Sequence, residues 1–292
     1  MSAAGVKVEL KPGAYKSGLK PVWCPGCGDF GVLNALYRAM AQLQIEPSNT
    51  VILSGIGCSS RLPGYVKTYG FNGVHGRALT LATGVKVARP ELTVIAVGGD
   101  GDGLAIGGNH LIHACRRNLD LLDILMDNEN YGLTKGQVAP TTPTGDKTQS
   151  TSWGNPEPSV DPCERAISTG ATWVARGFSG EMKGLTEMIA AGLEHNGFSF
   201  LNVMSPCVTW RGDDQFKEMK AKVAQLPEGY DPSRRANAVM YTREKDKITC
   251  GVLYEVETPS LTDQLEDMKE RAMAGNGTLT TKEMLSKFYP SF

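Results

Sequence analysis

Short apolar runs alternate along the chain with longer stretches whose apolar residues recur every three or four positions. Runs at 51–53, 92–97, 121–126, 171–175 and 200–204 are apolar, mostly rich in Val, Ile, Leu and Phe, too short for helices and without a polar face, as strands covered on both sides are. Between them, residues 78–88, 104–118 and 181–195 carry the helical period. An earlier helix starts at Asp29, expected as its N-cap, with Phe30, Leu33, Leu36, Tyr37, Met40 and Leu43 on one face. Strand and helix in alternation predict an α/β fold, a parallel sheet with helices on both faces and right-handed crossovers. Residues 134–158 are polar and rich in Thr, Pro and Gly; a loop of that length inside a compact domain is usually functional, and this one is expected to cover a ligand. The expected organisation is an arm over 1–22, an α/β domain over 23–210, and a C-terminal extension over 211–292 whose charged helical stretches read as a subunit-interaction arm.

A parallel sheet brings the carboxyl ends of neighbouring strands to one edge, and the residues expected there carry the chemistry. The 92–97 run is followed by Gly98, Gly99, Asp100, Gly101, Asp102 and Gly103, a turn in which backbone can approach a ligand closely. The helix that follows offers unpaired N–H groups and a positive dipole end, which favour an anion such as a diphosphate. The 121–126 run ends in Asp127, Asn128, Glu129 and Asn130, so Asp100 and Asn128 can meet. A carboxylate, an amide oxygen, a backbone carbonyl and two phosphate oxygens form the hard oxygen set that Mg²⁺ accepts. The competing reading is a dinucleotide-binding turn with Asp127 as the ribose acid. That acid lies farther on than the usual ~20 residues, and the reading leaves the cysteines without a role.

Asp100 within GDG, a spacer of 26 residues and then Asn128 resembles the metal and diphosphate motif of thiamine diphosphate enzymes. The resemblance implies that Asp100, Asn128 and the carbonyl of Asn130 hold Mg²⁺. The common motif ends in two adjacent Asn residues, whereas here Glu129 separates Asn128 from Asn130, and Tyr131, Gly132 and Thr134 follow. The run DNENYGLTKGQ, residues 127–137, is similar to the β subunit of the 2-oxoacid:ferredoxin oxidoreductases, which decarboxylate a 2-oxoacid and pass electrons through an iron-sulfur cluster. The fold this implies is the thiamine diphosphate-binding, pyrophosphate-module α/β fold. The implied cofactor surface comprises Ile56, Gly57, Cys58, Ser59, His75, Gly99, Asp100, Gly101, Asp102, Asn128, Asn130, Tyr131, Gly132, Leu133 and Thr134.

Seven cysteines test the resemblance independently of the glycines. Cys24 and Cys27, in WCPGCG, set two thiolates on one tight turn, where both can face a soft metal centre. Cys58 follows the 51–53 run and Cys207 follows the 200–204 run, so both are expected at the diphosphate edge. Cys24, Cys27, Cys58 and Cys207 match the four ligands that the family uses for one [4Fe-4S] cluster. Cys115, among Leu111, Ile112 and Ala114, reads as core; no strand carries Cys163 to the site, and Cys250 belongs to the last third of the chain. A CxxC turn alone equally suits a zinc knuckle or a dithiol pair, and it is the thiamine motif that tips the choice to a cluster. An odd cysteine count and the lack of an apolar secretory segment argue against disulfides.

Composition adds limits. A chain of 292 residues with 41% hydrophobic residues can bury a substantial core, and a net charge of -1 gives no reason to expect nucleic acid. Its apolar runs are too short for a membrane span of about 20 residues, so a cytoplasmic protein is expected. The resemblance implies CoA-dependent oxidative decarboxylation of a 2-oxoacid, and its reductive reverse, with ferredoxin draining the cluster. In the family the acid that activates the cofactor's aminopyrimidine comes from an α subunit. No candidate for it stands in this sequence, so the chain is expected to be inactive alone and to work as a heterodimer, in a dimer of heterodimers. Arg61 follows Cys58, and Lys135 occupies the second position of the TGGQ-like sequence of pyruvate-type relatives. Two cations near one pocket point to a second substrate carboxylate, hence 2-oxoglutarate over pyruvate. His75, Gly76 and Arg77 precede a helix, where His or Arg reaches phosphate or substrate or stays solvated; His110 and His113 read as packing residues. A thiamine-dependent decarboxylase with structural zinc and a non-catalytic metal-binding assembly subunit are the alternatives.

Overall fold

In a computed structural model that describes residues 9–244, 246–276 and 280–289, the apolar runs become strands of one sheet. The strands are β1 (Thr50–Ser54), β2 (Tyr69–Asn72), β3 (Thr93–Gly99), β4 (Leu121–Asp127), β5 (Trp173–Phe178), β6 (Phe198–Met204), β7 (Val223–Gln225) and β8 (Ile248–Glu255). Their spatial order is β2-β1-β3-β4-β6-β5-β8-β7. The ladders among β1 to β6 are parallel, whereas β8 meets β5 antiparallel and carries β7 on its outer side. Register sets the active edge: Gly99 lies opposite Met126 and Asp127 opposite Met204, so β3, β4 and β6 end together. The helices are α1 (Asp29–Gln42), α2 (Ala78–Ala88), α3 (Gly108–Arg117), α4 (Pro162–Thr169), α5 (Met182–Glu194), α6 (Val208–Arg211), α7 (Gln215–Lys222), α8 (Arg235–Thr242), α9 (Leu261–Asn276) and α10 (Thr281–Phe288).

Period-two alternation divides each strand between two cores. In β3, Ile95 and Val97 join Leu36 of α1 and Ile189 of α5, whereas Val94 and Ala96 join Leu79 of α2, Leu111 of α3 and Ile167 of α4. Both faces being covered explains why the strands read as continuous apolar runs. Fully burying a side chain such as Leu36 or Ile52 contributes about 1.5–3 kcal/mol, which makes the sheet a rigid base for the loops at its edge.

Four expectations change. The cap position of α1 is Gly28; Asp29 is the first helical residue, and its carboxylate accepts the Ser205 hydroxyl at 2.6 Å. The helix expected over 104–118 begins instead as a π turn, Gly101–Ile106, closed by Gly107 N–H donating to Asp102 O at 3.1 Å, before α3 starts. Strand β2 escapes the pattern because its four residues are all exposed at an edge. The extension over 211–292, expected as one arm, is of two kinds. Its β8 lies between β5 and β7, buries Thr249, Cys250, Leu253 and Tyr254, and divides its side chains between the cores on the two faces of the sheet. Its α9 and α10 carry no buried residue among those described. The N-terminal arm is anchored where Tyr15, fully buried, donates its hydroxyl to Met40 O at 2.9 Å or Ile45 O at 2.8 Å. Among the described residues no helix is long and apolar enough to cross a membrane.

Candidate active site

Asp100 follows β3 and Asp127 ends β4, so the sheet itself places two carboxylates side by side; they are 2% and 2% exposed. Thr141, from the long loop, sets its hydroxyl oxygen 2.7 Å from Asp100 Oδ2 and 2.8 Å from Asp127 Oδ1. Burial, and then the charge of Asp127, hold the Asp100 carboxyl well above its usual range, and burial pushes Asp127 up to about 6. Two dry acids on one hydroxyl are a poor arrangement for anions alone and a good one for a hard divalent cation. Asn128 closes the next turn: its Oδ1 accepts Asn130 N–H at 3.1 Å, and Asn130 Nδ2 donates back to Asn128 O at 2.9 Å. Asn130 is 3% exposed and its Oδ1 has no partner, an orphaned oxygen beside the expected metal ligands. The residues therefore fit Mg²⁺ through Asp100, Asn128 and the Asn130 carbonyl.

The loops around this centre lock onto one another. Tyr131 donates its hydroxyl to Gly101 O at 3.1 Å, and a methyl group on Gly101 would lie 2.3 Å from the Tyr131 ring, so only glycine lets the ring close over the turn. Asp102, expected on the cofactor surface, builds that surface from behind. Its Oδ1 accepts the N–H groups of Ile56 at 3.0 Å and Gly76 at 2.7 Å and lies 2.6 Å from His75 Nδ1. His75 stands edge-on to Tyr131, with centroids 6.0 Å apart, and keeps Nε2 for a ligand. Ser59 Oγ lies 3.2 Å from where a methyl group on Gly99 would be, so the Cys58 loop abuts the GDG turn.

The cysteine segments are tied together as firmly. Cys27 N–H donates to Cys24 O at 3.1 Å within the CxxC turn, Trp23 Nε1 donates to Cys58 O at 2.7 Å, and Gly28 N–H donates to Pro206 O at 3.0 Å. Burial first, then Asp29, Cys207 and Cys24, push the Cys58 thiol up to about 11, with the Arg61 guanidinium pulling the other way. Burial and Asp29 likewise raise Cys27, with Cys207 and Cys58 adding to the rise. Charge at Cys24 and Cys207 thus reaches Cys58, and charge at Cys207 and Cys58 reaches Cys27, so thiolates at Cys27 and Cys58 require a soft cationic centre among them. Among the described residues no three His, Cys, Asp or Glu side chains close to the spacing that one metal ion needs. Four cysteines on segments tied to one edge are the donor set that a [4Fe-4S] cluster takes, and zinc would accept the same four thiolates. A methyl group on Gly132 would lie 3.6 Å from Asn128 Nδ2, from Asn130 Oδ1 and from Cys207 Sγ, so this one residue lies between the Asn128–Asn130 turn and Cys207. Cys115, Cys163 and Cys250 are buried in the cores.

A charged strut spans the same edge. Arg211, at the end of α6, donates to Glu129 Oε2 at 3.0 Å and Asp146 Oδ2 at 2.5 Å; Gln215 donates to Glu129 Oε2 at 3.4 Å and accepts the Cys207 N–H at 2.7 Å. Burial and Asp127 push Glu129 up to about 7 while Arg211 pulls it down. Beside Asn130 lies a cavity of about 200 Å³ lined by Gly136, Lys147, Trp210 and Arg211. Lys135 holds the left-handed φ of +82°, is exposed, and has no acid partner among the described residues. Arg61 is also exposed, and its charge reaches Cys58. Ile56 and Leu133 are half-exposed, and Gly57 and Thr134 complete their turns.

The family model for the thiamine pyrophosphate enzyme C-terminal TPP binding domain matches residues 55–203, which hold both ends of the metal motif. The model for the C-terminal part of the pyruvate ferredoxin oxidoreductase beta subunit matches 207–270, beginning at Cys207. The chain is 40% identical over 273 residues to 2-oxoacid:ferredoxin oxidoreductase 2, subunit beta, of Aeropyrum pernix, across 89% of this chain and 87% of the other. The chain belongs to the β subunits of the 2-oxoacid:ferredoxin oxidoreductases. Among these subunits, 2-oxoglutarate synthase subunit KorB of Methanocaldococcus jannaschii is 38% identical over 261 residues, 87% of this chain and 94% of that one. A solved 2-oxoglutarate:ferredoxin oxidoreductase from Magnetococcus marinus, with 2-oxoglutarate, coenzyme A and succinyl-CoA bound, has a chain that superimposes with a TM-score of 0.91 at 41% identity, covering 96% of each.

Several residues that shape this oxidoreductase β subunit's site carry no motif. Thr141, Arg211 and Gln215 lie in ordinary polar stretches, and only the length of the 134–158 loop drew attention to the first. Asp29 reads locally as a helix cap, and its link to Ser205 lies across 176 residues.

Proposed function

We propose that this chain is the subunit holding thiamine diphosphate, Mg²⁺ and one [4Fe-4S] cluster in an enzyme that converts 2-oxoglutarate and CoA to succinyl-CoA and CO₂. Two electrons leave singly to ferredoxin, and the same site runs the reductive reverse. The observation that carries the reading is the position of Gly132, with the Asn128–Asn130 turn on one side and Cys207 on the other. Asp100, Asn128 and the Asn130 carbonyl would hold the metal and, through it, the diphosphate. His75 Nε2, oriented by Asp102, would face the diphosphate, and Tyr131 would shield it from water. When bound, thiamine diphosphate supplies the electron sink for decarboxylation and the cluster accepts electrons one at a time.

Lys135 reads the distal carboxylate. A lysine held in a backbone conformation that costs roughly 1–2 kcal/mol without glycine is hard to explain by folding alone. Relatives named β subunits support an α partner, which would contribute the acid that activates the cofactor. The chain by itself is then inactive, the working assembly is a dimer of heterodimers, and its place is the cytoplasm. Anaerobic co-purification with the α subunit tests the whole reading. A brown visible absorbance bleached by dithionite is expected, with 2-oxoglutarate- and CoA-dependent reduction of ferredoxin. A colourless, zinc-loaded complex would sink the electron-transfer role.

A further inference from the structure

We infer that Thr141 is the latch of the metal site, a positioning residue that orients Asp100 and ties metal occupancy to docking of the 134–158 loop. The inference rests on the reading of Asp100 as a metal ligand. Thr141 is 6% exposed, and its one hydroxyl bridges Asp100 Oδ2 and Asp127 Oδ1 across the ends of adjacent strands. A carboxylate on a turn has free rotation about its side-chain bonds, and anchoring one oxygen fixes the plane in which the other is presented.

Two further contacts dock the same loop beside these residues, to Glu129 and to Arg211, and two more brace it internally. Thr142 donates its hydroxyl to Glu129 O at 2.7 Å, between the two Asn ligands, and accepts the Ala139 N–H at 2.8 Å. Asn155 donates to Thr142 O at 2.9 Å, and Asp146 meets Arg211 at 2.5 Å. The loop therefore cannot lift without releasing Asp100, and by reciprocity a cation that needs Asp100 in place must favour the docked loop.

The test uses the chain in complex with its α subunit and thiamine diphosphate, with Mn²⁺ as an EPR-visible probe and limited proteolysis of the loop as a second readout. Outer partners of metal ligands are worth about 10–100-fold in metal affinity. Thr141→Val is expected to weaken Mn²⁺ binding by at least about 10-fold and to abolish the protection that Mn²⁺ gives wild type against cleavage within 140–158. Thr141→Ser, which keeps the hydroxyl, restores both. Equal Mn²⁺ affinity in wild type and Thr141→Val overturns the latch and leaves the metal reading standing. A loss that Thr141→Ser fails to rescue also overturns it, and a wild-type complex that binds no Mn²⁺ overturns latch and ligand reading together.

Discussion

The two edges of the one sheet are built from similar residues to opposite ends. At the amino edge, Asn118 accepts from Thr172 at 2.7 Å and Phe198 N–H at 2.8 Å and donates to Pro259 O at 3.2 Å, while Asn196 donates to Asp263 at 2.9 Å. The groove there, bounded by Glu194, His195, Glu257 and Asp263, has a volume of about 820 Å³. The buried groups left unpaired near it are an indole N–H and a hydroxyl, Trp173 and Ser199. At the carboxyl edge the space is smaller, yet Asp29 Oδ2, Asn130 Oδ1 and Arg211 Nε are buried without partners, and Asp100, Asp127 and Glu129 are all raised by burial. The orphans at the amino edge are neutral, whereas those at the carboxyl edge include a carboxylate oxygen and a guanidinium nitrogen, so unsatisfied charge, not volume, marks that edge.

The contrast between the edges is most exposed to refutation at Asp100. Asp100→Asn removes a ligand charge from a site too acidic to be stable empty, so its two effects have opposite signs. Ferredoxin reduction by the complex is expected to fall by more than about 100-fold, beyond the range for an outer partner. The melting temperature of the metal-free chain is expected to hold or rise, since one of two buried acids is gone. A variant that melts earlier without metal would mean that Asp100 is structural and that the two edges do not differ in kind.

Lys135 sets strain against stability at the same edge. Lys135→Gly should relieve the left-handed backbone and stabilise the chain by about 1 kcal/mol. It should also raise KM for 2-oxoglutarate by roughly 10-fold, the worth of one charged hydrogen bond, while leaving KM for 2-oxobutyrate nearly unchanged. Equal changes for the two substrates would remove Lys135 from the distal carboxylate.

Much of the working edge was legible in the sequence because its parts sit at strand ends, which period and length locate. Asp100, Asn128, Cys58 and Cys207 all follow apolar runs, and a parallel sheet has one place for such ends. The rest was not legible, for reasons that differ by residue. Asp102 belongs to the same motif, but a π turn aims it backward at Ile56 and Gly76, and nothing local encodes that turn. Thr141 and Arg211 act through partners 41 and 82 residues away, a relation no spacing rule captures. The C-terminal strand β8 was hidden because its buried residues fall in pairs, Thr249–Cys250 and Leu253–Tyr254, in a bulged ladder, so neither alternation nor a continuous apolar run marks it.

An effect on stability alone separates buried charge that serves the site from buried charge that does not. Asp123 lies in the middle of β4, 6% exposed, and burial followed by the charge of Asp102 pushes it up to about 8. The folded state keeps its proton to about pH 8, whereas the unfolded chain loses it near pH 4. Below the lower value both states are protonated and stability is highest; between the two, unfolding releases a proton, and stability declines with rising pH by up to about 1.4 kcal/mol per unit. Asp123→Asn should flatten that decline in urea titrations between these values without altering metal affinity, and an unchanged slope would place the ionised form in the fold.

The smallest effect is expected at the amino-edge groove. Glu194 and Glu257 border the amino-edge groove on the far side of the sheet from every residue given a role above. Replacing both by Gln removes two charges from a solvated rim, where surface substitutions change stability by no more than about 0.5 kcal/mol. Ferredoxin reduction by the complex should stay within about two-fold of wild type, because long-range charge effects fade beyond a Debye length of ~8 Å at physiological salt. A ten-fold loss of activity, or failure to assemble with the α subunit, would show that the groove's acids are used. The lack of charged orphans would then be no sign of an idle edge, and the rule drawn from the orphaned groups at the carboxyl edge would lose its force.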